Sequence, residues 1–343
     1  MTHRFPIKEI ARQAGLGPAT VDRVLNNRAH VSPQTRMRVE AAIDELQMQE
    51  QQLAARGRRM FIDVVVEAPR RFTDEIREAT GRALSAVSAG VFRPRFLFQE
   101  TMTDAELSAI FDRIEKRGSH GVCLKARDSG LVRDRINRLE GAGIPVVTLV
   151  TDVPDSERSA YIGVDNANAG RAAADLITKM LGDAKGPVFA TRSQEDFLGE
   201  AERLHCFRET LAATAPHLKV IDIAGGAGLS RSTGALLDGQ FDQHGLPLAV
   251  YSMGGGNAAI LEAFPPSALK QLVFIAHDLD AENRALLRDR KISFVLQHDL
   301  DHDMQNVFLA IAAKHGLAPA IPTHLLSGVQ IVGPYNAPSR TDV

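Results

Sequence analysis

The chain has little cysteine and no long apolar run, and each shortage removes a class of protein. Two cysteines in 343 residues cannot build a disulfide framework. Cys123 and Cys206 sit inside apolar patterns, as buried free thiols rather than a metal or redox pair. No stretch approaches the ~18 consecutive apolar residues of a membrane span. The charged N-terminus has no hydrophobic segment of the signal-peptide kind, so the expected compartment is the cytoplasm. Glycines cluster at 225–228 and 254–257, but without GxGxxG spacing or a lysine, which argues against a nucleotide cradle. No Ser–His–Asp or Cys–His set stands out. The segment "HDLDHDM" (298–304) has metal-ligand residue types, but Asp299, Asp301 and Asp303 read as the cap and first turn of a helix. Neither a metal nor a cofactor is expected.

What is present starts at the head of the chain. Ile7, Ile10, Ala11 and Ala14 repeat at helical spacing and form one apolar stripe. Gly15 supplies the positive-φ residue of a tight turn. Gly17 can then stand at an N-cap, with Pro18 at the first helical position, where a missing N–H costs nothing. The next helix buries Val21, Val24 and Leu25 and turns Pro18, Ala19, Thr20, Asp22 and Arg23 outward. A third helix begins at Ser32-Pro33 and carries Val39, Ala42, Ile43 and Leu46 inward. Two short helices across a glycine turn, braced by a third, form a helix-turn-helix that can offer its second helix to a DNA major groove. Residues 1–60 hold ten Lys+Arg against six Asp+Glu, a balance of +4, while the whole chain is −2 and residues 61–343 therefore −6. A positive head suits a phosphate backbone, and an acidic remainder does not.

Beyond residue 60, apolar strand-like runs alternate with amphipathic stretches. They lie at 61–68, 95–99, 121–126, 145–150, 161–165, 186–191, 218–224, 248–252, 273–278 and 294–299. Apolar strands joined by helices indicate parallel sheets covered on both faces, and ten are many for one sheet. The expected fold class is α/β, an all-α headpiece followed by two flavodoxin-like parallel-sheet lobes with a cleft at the strand carboxyl ends. The stretch "TDVPDSERS" (151–159) reads as a crossing point between lobes. Ligand candidates lie just past strand ends: Glu67, Phe72, Asp128, Asp152, Asp278 and Gln297.

The head resembles the DNA-binding headpiece of the LacI/GalR family of bacterial transcription regulators. The family pattern reads here as Glu9-Ile10-Ala11, Ala14-Gly15-Leu16 and Thr20 to Asn26, followed by "HVSPQTRMRVEAA" from His30. Gly17 and Asp22 replace the family's usual serines, so the operator should differ from familiar ones, with Asp22 able to accept from a cytosine amino group. The resemblance implies DNA contacts from Ile7, Gly17, Pro18, Ala19, Thr20, Asp22, Arg23, Asn26, Arg28, His30, Ser32, Thr35 and Arg36. Arg23 is aimed at bases, and Arg28, Arg36 and Arg38 at phosphates. Family members carry a hinge whose helix forms on DNA and wedges a leucine into the minor groove. Here Met48 replaces its tyrosine, Glu50 its proline and Gly57 its leucine. A short helix from Gln49 to Arg56 with Leu53 as the wedge, minor-groove or phosphate binding by Arg56, Arg58 and Arg59, and a plain charged linker all remain open.

The remainder resembles the family's regulatory portion, which is similar to periplasmic sugar-binding proteins of the ribose type. The segments that carry this are 143–177, "ERLHCF" (202–207), "YSMGGGNAAI" (251–260) and "VQIVGPYN" (329–336). It implies that Arg203 and Asp278 contact sugar hydroxyls, that Phe72 stacks on the ring, and that Ser252 and Asn257 contribute from the loop after their strand. The expected domains are a headpiece at 1–48, a hinge at 49–60, an effector domain at 61–336 and a tail at 337–343. The N-lobe takes 61–162 and 296–325, and the C-lobe 163–295 and 326–336. The function implied is a cytoplasmic homodimeric repressor, bound to operator DNA in the nucleoid and controlled by a small sugar, polyol or related acid. A solute-binding transport protein and a nucleotide- or sugar-using enzyme are the alternatives.

Overall fold

The computed structural model describes residues 4–28, 31–55, 59–237 and 239–338. The head consists of α1 (Ile7–Ala14), α2 (Pro18–Leu25) and α3 (Pro33–Ala55). Ile10, Ala11, Ala14, Val21, Val24, Val39, Ala42 and Leu46 form its core, with Phe5 packed alongside. Gly15 turns the chain with φ 62°, Gly17 is the N-cap of α2, and Ser32 Oγ accepts from Thr35 N at 3.1 Å to start α3. The helix α3 continues without a break to Ala55, so no separate hinge helix begins at Gln49. Glu50, standing where the family places proline, has an N–H to donate and no ring to clash, so the backbone ladder runs on. The side chain of Leu53, and Arg56 and Arg58, lie outside the described residues. Arg59 belongs to the first strand rather than to a free linker.

The first lobe is built on β1 (Arg59–Glu67), β2 (Val91–Gln99), β3 (Gly121–Lys125), β4 (Val146–Leu149) and β5 (Ala160–Val164), with α4 (Arg70–Ala86), α5 (Asp104–Arg117) and α6 (Gly130–Gly141) between them. The second lobe opens with α7 (Asn166–Leu181), β6 (Gly186–Arg192), α8 (Leu198–Thr214) and β7 (Leu218–Ala224). It continues through α9 (Ser230–Leu237), α10 (Gln240–His244), β8 (Ala249–Ser252), α11 (Asn257–Glu262), α12 (Pro266–Leu269), β9 (Val273–His277), α13 (Ala281–Arg288) and β10 (Phe294–Gln297). The chain then returns to the first lobe as α14 (Leu300–Lys314) and β11 (His324–Ser327), and ends in the second as β12 (Gln330–Val332).

The sheet orders are β11-β5-β4-β3-β1-β2 and β12-β10-β9-β8-β6-β7. All neighbours are parallel except β10 and β12. Leaving aside the last two strands, both sheets have the doubly wound 2-1-3-4-5 order, which places the strand carboxyl ends of the two lobes around a shared crevice. The central strands β3, β4, β8 and β9 are buried at every residue, as sheets covered on both faces require.

Two expectations about this region are corrected. Strand β2 begins at Val91, not Arg95, and runs through Pro94. Among the described residues it is an edge strand paired only with β1, where a residue lacking an N–H is tolerated. The stretch 151–159 does not cross between lobes, because it joins β4 to β5, which are neighbours in one sheet. Asp152 folds it back by accepting from Thr148 Oγ1 at 2.8 Å and pairing with Arg158. The crossings lie instead at Asp165, His298–Asp299 and Gly328–Val329. Asp299 caps α14 through His302 N, Asp301 pairs with Arg82, and Asp303 turns inward to His298, so the three aspartates have three separate partners. Among the described residues, no helix is long and apolar enough to cross a membrane. Cys123 and Cys206 are both buried and unbridged, and burial pushes the Cys123 thiol up to about 12.

Candidate functional site

Two surfaces carry the candidate residues. On the head, Gly17, Pro18, Ala19 and Arg23 are exposed along α2, and Thr20 and Asp22 are half-buried on the same side. Asn26 folds back on Asp22, donating to its backbone oxygen and to Oδ1 at 2.9 Å each, and Arg28 lies 3.6 Å from the same carboxylate. Arg36 donates to Asn27 Oδ1 at 2.7 Å. Ser32 and Thr35 form the start of α3, their hydroxyls 2.8 Å apart, and Ile7 is half-buried against the core. Arg38 differs from the expectation, as its guanidinium closes the C-terminus of α1 by donating to Ala14 O at 2.8 Å. There it meets the negative end of the helix and satisfies a carbonyl that the helix leaves unpaired. His30 lies outside the described residues.

The second surface is the crevice between the lobes. It is a narrow, open-mouthed cleft lined by residues of both lobes. Three of the residues expected there line it: Phe72 at the start of α4, Arg203 on α8 and Asp278 just after β9. Arg203 is buried, and its Nε donates to Asn166 Oδ1 at 2.7 Å, which fixes the guanidinium plane. Asp278 and Val150, on opposite lobes, both line the crevice with left-handed backbones, φ 65° and 67°. Each is held there by tertiary bonds: Asn283 donates to Asp278 O, and Tyr161 Oη to Val150 O. Non-glycine residues keep such conformations only where the surroundings over-determine them, and such positions gather at ligand clamps.

The other expected residues are placed differently. Glu67 is buried behind the crevice, accepting from Met102 N and Arg127 at 3.1 Å and from Gln194 of the other lobe at 3.3 Å. Ser252 and Asn257 are buried beneath the floor, and among the described residues Ser252 Oγ and Asn257 Oδ1 have no hydrogen-bond partner. Gln297 lies in an adjoining compartment toward the crossings, bonded to Gln330 at 3.0 Å. Asp128 is held by Arg133 and Asp152 by Arg158, and neither lines the crevice. In both cases an arginine five or six residues further on claims the carboxylate.

Arg71, Lys125, Phe197 and Glu200 are among the lining residues that were not anticipated. Lys125 ends the otherwise apolar β3, and a lysine inside a run that reads as buried strand was the available signal. Its ammonium lies 3.1 Å from Glu67 O and 4.0 Å over the Phe197 ring. Burial lowers its pKa, while the carboxylates of Glu200, Glu67 and Asp278 act in the opposite direction. Glu200 accepts from Ser193 N at 2.7 Å and Ser193 Oγ at 2.5 Å. Beneath Asp278, His277 faces Tyr251 Oη at 2.8 Å, and burial holds its imidazole well below the usual range and so neutral. The crevice thus mixes fixed donors, fixed acceptors and two aromatic faces.

Asp280, at the N-cap of α13, is almost fully buried beside the crevice, and burial raises its pKa from 3.8 to about 6 against the opposing pull of Asn283 N and Arg71. The folded state therefore holds a proton between about pH 4 and 6 that the unfolded chain has released, so Asp280 makes stability fall as pH rises through that window. Asp280→Asn removes this slope. The stability of the variant relative to the parent, from denaturant unfolding, is expected to rise between pH 4 and pH 7. A flat or falling difference contradicts the assignment.

The fold and both surfaces agree with what the chain is similar to. The family model described as "Periplasmic binding protein domain" matches residues 77–312, and that of "Bacterial regulatory proteins, lacI family" matches residues 6–49. An uncharacterized HTH-type transcriptional regulator of Streptomyces limosus is 29% identical over 208 residues, 58% of this chain and 57% of that protein. The HTH-type transcriptional regulator TreR of Salmonella typhimurium is 53% identical over 45 residues, 13% of this chain and 14% of its own length. The chain therefore spans little more than half of the first of these relatives and about one seventh of the second. Among solved structures, a glucose-galactose binding protein of Geobacillus stearothermophilus superimposes with TM-score 0.73 at 15% identity, over 82% of this chain and all of that one. A solute-binding protein of Burkholderia graminis in complex with D-arabinose gives 0.72 at 20% identity, over 80% and 95%. A LacI-type regulator of Bacteroides fragilis, described as putative, gives 0.70 at 14%, over 80% and 97%. The chain belongs to the periplasmic binding protein domain family through its two lobes, and it carries ahead of them the helix-turn-helix domain of the bacterial regulatory proteins of the lacI family.

Proposed function

We propose that the protein is a DNA-binding transcription regulator, a repressor whose operator affinity is set by a small polyhydroxylated effector between its lobes. The observation that carries this reading is the presence in one chain of an exposed helix-turn-helix face and a two-lobed crevice with polar groups from both sides. Either part alone fits a simpler protein. Together they fit a device in which a ligand touching both lobes favours one arrangement, and only its preference between arrangements shifts the DNA equilibrium. Arg203 and Asp278 are assigned to hydroxyl pairs, Phe72 and Phe197 to the ring faces, and Lys125 and Glu200 to the remaining polar edge. The similar glucose-galactose binding protein and the D-arabinose complex support a sugar or polyol. Two copies of the chain would place two headpieces on an approximately palindromic operator, since one headpiece makes few base contacts. A gel shift with DNA upstream of the gene, with and without a panel of sugars and polyols, tests the reading. Failure to bind any upstream fragment selectively contradicts it.

On the head, Arg23→Ala is expected to cost roughly 1–3 kcal/mol of specific affinity and to relax base choice at one position of each half-site. Arg28→Ala is expected to weaken binding to all sequences alike and to flatten the salt dependence. The same profile for both variants across an operator library would refute this division of roles.

A further inference from the structure

The guanidinium of Arg71 leaves its own lobe. Arg71 is the second residue of α4 in the first lobe, yet Nη1 donates to Gly228 O at 2.8 Å and Nη2 to Gly254 O at 3.0 Å, both in the second lobe. Its Nε lies 3.0 Å from Asp280 Oδ2, also in the second lobe. Those three acceptors are set by elements of the second lobe alone. Asp280 Oδ1 accepts from Asn283 N at 2.8 Å, which leaves Oδ2 for the guanidinium. Asn283 is itself fixed by Asn257 at 2.7 Å and by donation to His277 O at 2.9 Å. Space for a planar cation is provided by missing side chains: a Cβ on Gly255 would lie 1.6 Å from Nη2, and one on Gly228 would lie 2.2 Å from Gly254 O. A carboxylate and two carbonyls around one flat cavity match the fork of a guanidinium and leave the single point of an ammonium poorly served. Asp280 is 2% exposed, so withdrawing the cation leaves a buried carboxylate without its counter-ion.

We infer that the second lobe carries a guanidinium site, that Arg71 fills it from the first lobe, and that the filled site latches the lobes closed without an effector. The site is independent of the effector assigned above and of whether that effector is a sugar. Chemical rescue of the full chain tests it. Cysteines introduced at exposed Lys116 and Asp242, one on each lobe, carry nitroxide labels; the native Cys123 and Cys206 are buried. Pulsed electron paramagnetic resonance without any sugar is expected to give a short, narrow inter-lobe distance in the parent. Arg71→Ala is expected to shift it to a longer, broader distribution. Guanidinium chloride at tens of millimolar, far below denaturing levels, is expected to restore the short distance, and tetramethylammonium chloride at the same concentration is not. Asp280→Asn, which keeps the helix cap but not the charge, is expected to shift the distance partway with Arg71 in place. An unchanged distance in Arg71→Ala, or an open state that guanidinium does not close, overturns the inference. Circular dichroism melts confirm that each variant is folded. Should Arg71→Ala fail to fold, Asp280→Asn decides alone, and a distance equal to the parent's then overturns the latch.

Discussion

Arg203→Ala is expected to abolish the response to effector while operator binding without effector persists. The guanidinium reaches the crevice from a buried position on α8 with its plane fixed by Asn166, so it meets a ligand hydroxyl pair without reorganising. A hydrogen bond to a charged donor contributes roughly 1.5–3 kcal/mol, which corresponds to an affinity loss on the order of ten- to more than a hundredfold. The head has a core of its own, so its α2 face is expected to be unaffected. Calorimetric titration with whichever sugar or polyol alters the gel shift gives the affinity, and an operator titration without that compound gives the remainder. Arg203→Lys keeps the charge but not the fork, and is expected to fall between the parent and Arg203→Ala. A variant lacking Arg203 that still responds at the parental effector concentration removes Arg203 from the site. A loss of operator binding without effector would instead mean that α8 supports the fold more broadly.

The largest expected effect on stability comes from a single methyl group. Gly170 lies in α7 where it crosses α8, and a Cβ there would sit 2.2 Å from Arg203 O and 3.0 Å from Phe207 N. These are backbone atoms, so relief requires α8 to move away from α7 together with Phe197, Glu200 and Arg203. Gly170→Ala is expected to cost about 3 kcal/mol, the upper part of the range for overpacking a tight contact. For a domain of this size that lowers the melting temperature by roughly 6–12 °C. Gly81→Ala is the matched comparison, since Gly81 lies inside α4 with nothing within 4 Å of its added Cβ. There the same substitution removes only the backbone freedom of glycine, and is expected to stabilise by roughly 0.5–1 kcal/mol. Thermal melts of the two variants side by side test the crossing, and equal melting temperatures would show that α7 and α8 are not in such close contact.

Much of the architecture is legible in the chain because its causes are local. Gly15, Gly17-Pro18 and Ser32-Pro33 act within a few residues, so the head could be laid out from caps and apolar spacing. The ten apolar runs declare themselves by composition, and all ten are strands of the two parallel sheets. Phe72 and Asp278 could be expected at the crevice because residues that follow parallel strands converge there by topology, whereas Arg203 was legible only through the family resemblance. The errors share one cause, which is pairing that the folded chain decides and the local pattern does not show. Whether Pro94 ends a strand depends on whether a neighbour needs its N–H, and β2 turned out to be an edge. Whether 151–159 crosses between lobes depends on β5 pairing with β4. Asp128 and Asp152 have the sequence context of ligand carboxylates, and only the folded chain shows that Arg133 and Arg158 claim them. Arg71 is the extreme case, an ordinary arginine in the first turn of a helix whose three partners lie more than 150 residues further along. The sequence by itself determined the headpiece helices, ten of the strands and the two-lobed plan, through caps, turns and hydrophobic period, which act over a few residues. Tertiary structure decided which charges face the crevice and which face each other, because a charge is governed by whatever counter-charge the fold brings within a few ångströms.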